Sequence, residues 1–396
     1  MSLNIPGIFS VDDHVVESPT IWSDRLPAKY AGVGPRVVRE KVGTMEYIGG
    51  VLEFGPAEEG RIADVWHYED KWVPLYMTSA AVGYDITTAI EMPLTFDEIR
   101  KGCYDPAARI EDMDVSGVYA SLCFPNNSLV RFCGQVFKEA SDKDLALLCV
   151  RAYNDWMVDE WCAGSGGRLV PLCIVPLWDP VLAAEEIRRN AARGVRAVTF
   201  SEMPAFLDLP SPHTDHWNPF FQACQETGTV ICLHIGSGSR VGTGSPDAPM
   251  GVTLSLTFLT AAQALADWLL SGVFERFPQL RVCMAECQIG WIPYLLERLD
   301  SIWERRGFTR VGDDRLRRPP RDYFRDHILV SFFDDLYGAQ SYAQIGEDNI
   351  AFETDYPHQD SNWPNSLKVG ESQTEGLPAE VRSKLLYGNA ARWFGL

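Results

Sequence analysis

Eight short hydrophobic segments recur along the chain, and several end directly in a polar or ionisable residue. Their lengths and their β-branched residues are typical of buried strands, and segments with helical periodicity separate the later ones. Strands that alternate with helices favour a parallel sheet covered on both faces. The predicted strands are Gly7–Val11, Val118–Pro125, Leu169–Leu177, Val195–Phe200, Thr229–His234, Leu280–Glu286, Ile328–Phe333 and Ile350–Asp355.

The predicted helices carry start and stop signals. Asp179 is a candidate N-cap, Pro180 fits the first helical position, and Gly194 fits a left-handed stop. A second helix is predicted over 141–162, with Ser141 as N-cap and an acidic residue three positions later, as in a capping box. These signals support the division of the chain into repeated strand–helix units.

Eight such units predict a (β/α)8 barrel, which typically takes about 250 residues before insertions. The chain has 396 residues, and most of the excess lies in the proline-rich stretch 18–112. There, 36–46, 47–54 and 61–73 are predicted strands, separated in part by Gly49 and Gly50. We therefore predict an α/β fold with one barrel domain over 1–396, in which 18–112 forms a hairpin-rich inserted lobe that lines the barrel mouth. A doubly wound open sheet is the alternative, but no glycine-rich phosphate-binding turn follows the first strand.

Composition narrows the partners and the compartment. Thirty-five basic residues against 54 acidic ones give a net charge of −19, which disfavours nucleic acid and anionic membrane surfaces as partners. The ten cysteines form no CxxC pair, and several lie in apolar runs, so we expect a reducing, cytoplasmic location. The apolar window 254–274 is interrupted by Gln263 and Asp267 and is predicted to be a core helix rather than a membrane span.

Ionisable residues stand where five of the eight predicted strands end. Catalytic groups of a (β/α)8 barrel lie at the C-terminal ends of its strands, so these side chains are expected to converge on one mouth. Two imidazoles and up to four carboxylates suit a divalent ion such as zinc, manganese or iron. A zinc ion with an open position would lower the pKa of bound water to about 7. The candidate metal ligands are Asp12, His14, Glu202, His234, Glu286 and Asp355.

Each candidate also has a purely structural interpretation. Glu202 and Glu286 exceed what one ion requires, so each is either a ligand of a second ion or an ion-pair residue. His358, three residues after Asp355, either orients substrate or caps the loop that follows. Aromatic residues of the inserted lobe form an apolar lid, pack internally or make a subunit contact, and they make an oligomer a reasonable expectation. They are Trp66, Tyr68, Trp72, Tyr76 and Tyr84.

Several motifs resemble those of the amidohydrolase superfamily, specifically the amidohydrolase-related group that includes aminocarboxymuconate-semialdehyde decarboxylase and γ-resorcylate decarboxylase. The resemblance implies a distorted TIM barrel with a metal at its mouth. It places the family's acid-x-His pair on Asp12 and His14, its strand-five histidine on His234 and its strand-eight aspartate on Asp355. The motifs that carry it are 10–17 (SVDDHVVE), 112–118 (DMDVSGV), 233–236 (LHIG), 290–294 (GWIPY), 353–358 (ETDYPH) and 388–390 (GNA).

The chain departs from this group at strand six, where the decarboxylases usually have a histidine and this chain has Glu286. Three hypotheses follow. The first is a metal-dependent hydrolase or decarboxylase (a lyase) on a small carboxylated or amide substrate, with Glu286 or Asp355 moving the proton and His358 assisting. The second is a dinuclear iron or manganese oxygenase. The third is a non-catalytic, metal-holding partner subunit of a related enzyme. A single ion favours zinc.

Overall fold

Eight parallel strands form the centre of the fold. The computed structural model describes residues 5–48, 51–85, 87, 90–242, 244–245, 247–305 and 316–396. In chain order the strands are Ile8–Val15 (strand one), Val118–Pro125 (two), Leu169–Val170 with Leu172–Cys173 (three), Ala197–Ser201 (four), Val230–His234 (five), Val282–Ala285 (six), Ile328–Phe332 (seven) and Ile350–Phe352 (eight).

Each strand pairs in parallel with the next one along the chain, as a (β/α)8 barrel requires. Strand eight returns to strand one just beyond its own end: the Asp355 N–H donates to the carbonyl of Asp12 at 2.9 Å, and the His14 N–H to that of Tyr356 at 2.6 Å. The predicted α/β barrel is therefore confirmed. Strands one and eight, the first and the last of the barrel, therefore meet at residues that the sequence analysis named as site candidates.

Strand three is not the single strand predicted over 169–177. Leu169–Val170 pairs with strand two, while Leu172–Cys173 pairs with strand four. Pro171 lies between the two pieces and has no N–H to donate to a ladder, so the hydrogen bonding changes partner there. The barrel wall remains closed across this break because each piece continues one side of the sheet.

The inserted stretch contains antiparallel strands, unlike the barrel. Arg36–Val42 pairs with Arg61–Tyr68, which pairs in turn with Lys71–Tyr76, and a short pair joins Glu46–Ile48 to Val51–Glu53. Lys71–Tyr76 also pairs with Pro93–Leu94. The predicted strand 61–73 is therefore wrong in extent, since a turn at Glu69, with φ of +50°, divides it. Gly49 and Gly50 lie outside the described residues.

Two of the candidate lid aromatics pack inside the molecule instead. Trp66 and Tyr68 are buried, with 1% of each residue exposed. The Trp66 ring meets Trp22 edge to face at 5.3 Å, and Tyr68 contacts Phe137 at 5.7 Å. These contacts join the inserted sheet to the main hydrophobic core. Burial of large aromatic surfaces of this kind dominates packing energy, so the two residues are structural.

The helices lie between the strands, as the alternation predicts. Asp179 caps its helix by accepting hydrogen bonds from the N–H groups of Val181 and Leu182, as predicted. The capping prediction at Ser141 is wrong: Asp142 is the N-cap, and Ser141 donates to Glu69 instead. The α-helices are Pro106–Ser116, Arg131–Glu139, Lys143–Trp156, Pro180–Ala191, Asn218–Thr227, Met250–Leu256, Phe258–Leu270, Val273–Arg276, Ile292–Glu304, Pro320–His327, Leu336–Gln340, Tyr342–Ile345, Ser366–Gln373, Ala379–Ser383 and Asn389–Phe394.

The helical region predicted over 254–274 begins earlier and is divided into three pieces. Met250–Leu270 has the length and mean hydropathy of a membrane span, but a core helix of a soluble protein passes the same test. Trp268 of this helix donates its indole N–H to the Glu202 carbonyl at 3.2 Å. The helix thus packs against the end of strand four, beside the barrel mouth.

Candidate metal centre

Three predicted ligands meet where strands one and five end. The Nε2 atoms of His14 and His234 are 3.1 Å apart. The Asp12 carboxylate reaches both rings, at 3.5 Å from Nε2 of His14 and 3.4 Å from Nε2 of His234. All three side chains are buried, with at most 1% exposed. Asp12 and His14 reach the same centre because alternate residues of a strand point to the same face.

The hydrogen bonds of the two imidazoles fix which nitrogen faces the centre. Nδ1 of His14 lies 3.2 Å from the Pro125 carbonyl oxygen, and Nδ1 of His234 lies 2.6 Å from that of Ile235. A carbonyl oxygen only accepts, so Nδ1 carries the proton in each neutral ring and Nε2 presents its lone pair. Burial lowers the pKa of both histidines, which favours this neutral form.

The spacing of these atoms fits a bound divalent ion. Ligand atoms held about 2.1 Å from an ion in tetrahedral or octahedral geometry are about 3.0–3.4 Å from one another. The two Nε2 atoms are 3.1 Å apart, and Oδ1 and Oδ2 of Asp12 lie 3.5 Å from His14 and 3.4 Å from His234, so the separations fall in that range or about 0.1 Å beyond it. Both oxygens of Asp12 are also buried without a hydrogen-bond partner. A buried carboxylate in that condition is costly unless a cation compensates it, so the donor set fits a metal.

Asp355 and His358 extend the cluster on the other side of His14. Oδ1 of Asp355 lies 3.3 Å from Nε2 of His14 and 3.0 Å from Nδ1 of His358. The His358 ring stacks on His14 with centroids 3.7 Å apart. Burial alone would raise the pKa of Asp355, but the neighbouring His358 opposes burial, and the pKa lies well below its usual range. Asp355 is therefore an anion beside His14, and its contact with Nδ1 of His358 orients its carboxylate.

Glu286 lies at the rim of the centre rather than inside it. Its Oε2 is 3.4 Å from Nε2 of His234, and 18% of its side chain is exposed. Its backbone has a φ of +56°, an uncommon conformation for a non-glycine residue that is typical of functional sites. Burial, followed by the negative charges of Asp355 and Asp12, raises the pKa of Glu286 well above its usual value. Glu286 therefore favours its protonated form, chiefly because it is buried.

Glu202 faces a loop instead of the cluster. Its Oε1 accepts a hydrogen bond from the Gly236 N–H at 2.7 Å, and its own backbone N–H donates to the Ser237 hydroxyl oxygen at 2.9 Å. Among the described residues, the groups with metal-ligand spacing are Asp12–His14–His234 and His14–Asp355–His358, and Glu202 belongs to neither. Its position holds the loop that follows strand five, next to His234.

Several residues that support the centre were not predicted. Glu353 is fully buried; its Oε2 accepts from the Glu286 N–H at 2.9 Å and from the Ser331 hydroxyl, which ties strands six, seven and eight together. Arg109 donates to the His14 carbonyl at 2.6 Å. The Phe132 ring stacks on His234 with centroids 4.2 Å apart. Only Glu353, which stands two residues before Asp355, carried a sequence signal that could have identified it.

Asp13, between the two candidate ligands of strand one, is held by hydrogen bonds outside the cluster. Its carboxylate accepts hydrogen bonds from the hydroxyls of Ser10 at 3.0 Å, Thr354 at 2.6 Å and Ser121, and from the Tyr356 N–H at 3.1 Å. These donors come from strands one and two and from the end of strand eight. A charged acceptor shared by several buried donors fixes the strand ends on which the ligands stand.

Glu17 is a buried carboxyl group near the site, and burial changes its pKa. The side chain is fully buried and accepts from the Asn126 N–H at 3.0 Å and from the Ser128 hydroxyl at 3.4 Å. Burial raises its pKa to about 8. The residues Asn127 and Ser128 of the same turn line the cavity described below.

We expect Glu17→Gln to flatten the pH dependence of stability. Between pH 4.5 and 8 the folded chain holds a proton on Glu17 that the unfolded chain has lost, so the free energy of unfolding falls as pH rises. Glutamine keeps the shape and the acceptor oxygen but does not titrate. Urea unfolding in EDTA at several pH values measures this slope. Glu111→Gln, at an exposed helix position, is the control, and an identical slope in parent and Glu17→Gln would refute the effect.

A cavity of about 660 Å³ opens onto the centre. Glu286, Asp355 and His358 form its polar end, and Tyr76 is the one lid candidate among its described lining residues. Phe132 separates this space from His234 and has a φ of +58°. A concave, largely preformed space with a few convergent polar groups is typical of a small-molecule site.

Comparison with known proteins agrees with this architecture. Among curated relatives, γ-resorcylate decarboxylase from Rhizobium sp. (strain MTP-10005) is 26% identical over 73% of this chain and 86% of its own. The 2-amino-3-carboxymuconate-6-semialdehyde decarboxylase of Dictyostelium discoideum is 22% identical over 76% and 79%.

Solved structures share the fold at lower identity. An amidohydrolase from Mycobacterium avium subsp. paratuberculosis K-10 superposes over 100% of both chains with a TM-score of 0.72 and 19% identity. A 5-carboxyvanillate decarboxylase from Novosphingobium aromaticivorans DSM 12444, solved with manganese, covers 75% of this chain and 82% of its own with a TM-score of 0.60 and 20% identity. The family model for amidohydrolases matches residues 74–396, and the chain therefore belongs to the amidohydrolase family.

Proposed function

We propose that the protein is a metal-dependent decarboxylase, a carbon–carbon lyase that releases CO2 from a carboxylated organic substrate. The observation that carries the proposal is the set of separations among His14, His234 and Asp12, which are close to the ligand-to-ligand distances around one divalent ion. The family membership and the decarboxylases among the relatives support the type of reaction. No relative described above is named as an oxygenase, and none supports the partner-subunit hypothesis.

Asp12, His14, His234 and Asp355 would hold the ion. This set of two imidazoles and two carboxylates suits zinc and also manganese, the metal in the 5-carboxyvanillate decarboxylase structure. When bound, the ion supplies Lewis-acid polarisation of a substrate oxygen. Phe132, packed against His234, limits the access of water to that side of the centre.

Glu286 would deliver the proton. The substrate loses its carboxylate as CO2 when the bond from carbon to the carboxyl group breaks; the electron pair of that bond remains on the substrate carbon, which takes a proton. Glu286 lies at the cavity end of the centre, and its raised pKa keeps a proton available. The Glu286 carboxylate formed by this transfer then takes up a proton from solvent. Asp355, whose pKa is lowered, stays ionised throughout.

The proposal is tested by carbon dioxide release. The protein, loaded with Mn²⁺ or Zn²⁺, is incubated in D₂O with carboxyl-¹³C-labelled aryl carboxylates of one and two rings, including 2,6-dihydroxybenzoate. We expect one ¹³CO₂ per substrate consumed and one deuterium at the carbon that carried the carboxylate. Oxygen consumption or a hydrolysed product without ¹³CO₂ would contradict the proposal and return the hydrolase or oxygenase hypothesis.

A further inference from the structure

The cavity beside the metal centre is larger than a single aromatic ring requires. A benzoate-type substrate has about a dozen non-hydrogen atoms, whereas cavities of about 300–1,000 Å³ typically enclose drug-sized ligands. This cavity measures about 660 Å³. A concave space of this size next to the candidate centre is typical of a site for a ligand larger than one ring.

Apolar residues from two separate parts of the chain line the cavity. Leu52, Phe54 and Val73 belong to the inserted stretch, and Met250 and Leu254 belong to the helix Met250–Leu256. The polar groups Glu286, Asp355 and His358 lie together where the cavity meets the metal centre. The cavity is therefore amphipathic along its length, with a reactive end and an apolar end.

Two arginines line the same space. In the described part of the chain, no carboxylate lies within ion-pair distance of Arg131 or Arg240. Arg131 donates to the Ser239 hydroxyl at 3.1 Å, and that hydroxyl donates to Gln135, so the guanidinium is held in place. Arg240 stacks on the Phe206 ring at 4.8 Å, which leaves its charge uncompensated by a carboxylate. In a chain of net charge −19, two such cations attract an anionic ligand.

We propose that the substrate is an elongated amphipathic carboxylate, larger than one aromatic ring. Its anionic end is bound by Arg131 and Arg240, and its apolar body lies between the inserted stretch and the helix Met250–Leu256. This inference rests on the proposed function for the statement that the ligand is the substrate. The shape and charge of the cavity, however, determine binding independently of turnover.

The test measures binding of inert probes to the manganese-loaded protein by titration calorimetry. We expect biphenyl-4-carboxylate to bind at least about 15-fold more tightly than benzoate, because each buried methylene equivalent gives about fourfold. Leu254→Trp fills the apolar end and is expected to weaken biphenyl-4-carboxylate at least 10-fold and benzoate less than twofold. Leu259→Trp is the matched control, since Leu259 is 39% exposed against 40% for Leu254 and does not line the cavity.

A second comparison tests the arginines. Arg131→Gln is expected to weaken biphenyl-4-carboxylate at least 10-fold and to leave neutral biphenyl-4-carboxamide unchanged. Equal affinity for benzoate and biphenyl-4-carboxylate in the parent protein, or equal effects of Leu254→Trp on both, would overturn the inference. Size-dependent binding without ¹³CO₂ release from any carboxylate would refute the proposed function alone. Release from single-ring substrates with no preference for size would refute the inference alone.

Discussion

Replacing His14 with alanine is expected to leave the purified protein with less than about one tenth of an equivalent of divalent metal and without measurable decarboxylation. The imidazole supplies the Nε2 atom that lies 3.1–3.5 Å from His234, Asp12 and Asp355. Loss of an outer partner of a metal ligand alone costs about 10–100-fold in affinity, so loss of the ligand itself should cost more. Elemental analysis of as-isolated and metal-reconstituted protein measures the outcome.

His213→Ala is the matched control for this variant. His213 also pairs with an aspartate, at 2.6 Å from Asp267, but it lies outside the centre. We expect this change to leave metal content and activity unchanged. Thermal unfolding of both variants in EDTA separates loss of metal from loss of fold. A full equivalent of metal in folded His14→Ala protein would refute the assigned ligand set.

Glu286→Gln is expected to lower kcat by about 10²–10⁴-fold while metal content stays at one equivalent, because a general acid typically contributes that factor. Glutamine preserves the size of the side chain, and the backbone N–H that donates to Glu353 is unchanged, but glutamine has no carboxyl proton to transfer. The measurement is steady-state kinetics together with elemental analysis on the same sample. In the parent protein, kcat should fall at rising pH as Glu286 loses its proton. In the variant, kcat should not show this fall.

This variant also separates two roles of Glu286 that the sequence left open. Loss of the metal together with activity would make Glu286 a ligand instead of a proton carrier. An unchanged kcat would exclude both roles. Glu297→Gln, at an exposed position on the helix Ile292–Glu304, is expected to leave both readouts unchanged.

The barrel and the positions of the candidate ligands could be predicted because they depend on local patterns. Short apolar runs specify buried strands, and a polar residue at the end of such a run is carried to the barrel mouth by the parallel topology. Asp12, His14, His234 and Asp355 were therefore found from their places in the pattern, and the structure brings their side chains together. The family resemblance placed the same four residues in the centre, and membership of the family is confirmed.

Other features depend on long-range contacts and left weaker signals. Phe132 adopts a positive φ and reaches His234 from a helix region that no pattern connects with the site. Glu202 follows strand four, just as the other candidates follow their strands. Its carboxylate, however, accepts a hydrogen bond from the Gly236 N–H and so lies against the loop after strand five. The prediction of Ser141 as an N-cap was wrong because the N–H and hydroxyl of Ser141 donate to Glu69, 72 residues earlier in the chain. Propensity describes neighbours in sequence and misses such partners.

The most direct test of the account is the anomalous diffraction of crystals of the manganese-loaded protein. We expect one peak, about 2.0–2.3 Å from Nε2 of His14 and of His234 and from oxygens of Asp12 and Asp355. The absence of a peak between the two imidazoles would contradict the metal centre. Two peaks about 3.5–4 Å apart would contradict a single ion and favour the dinuclear site of the oxygenase hypothesis.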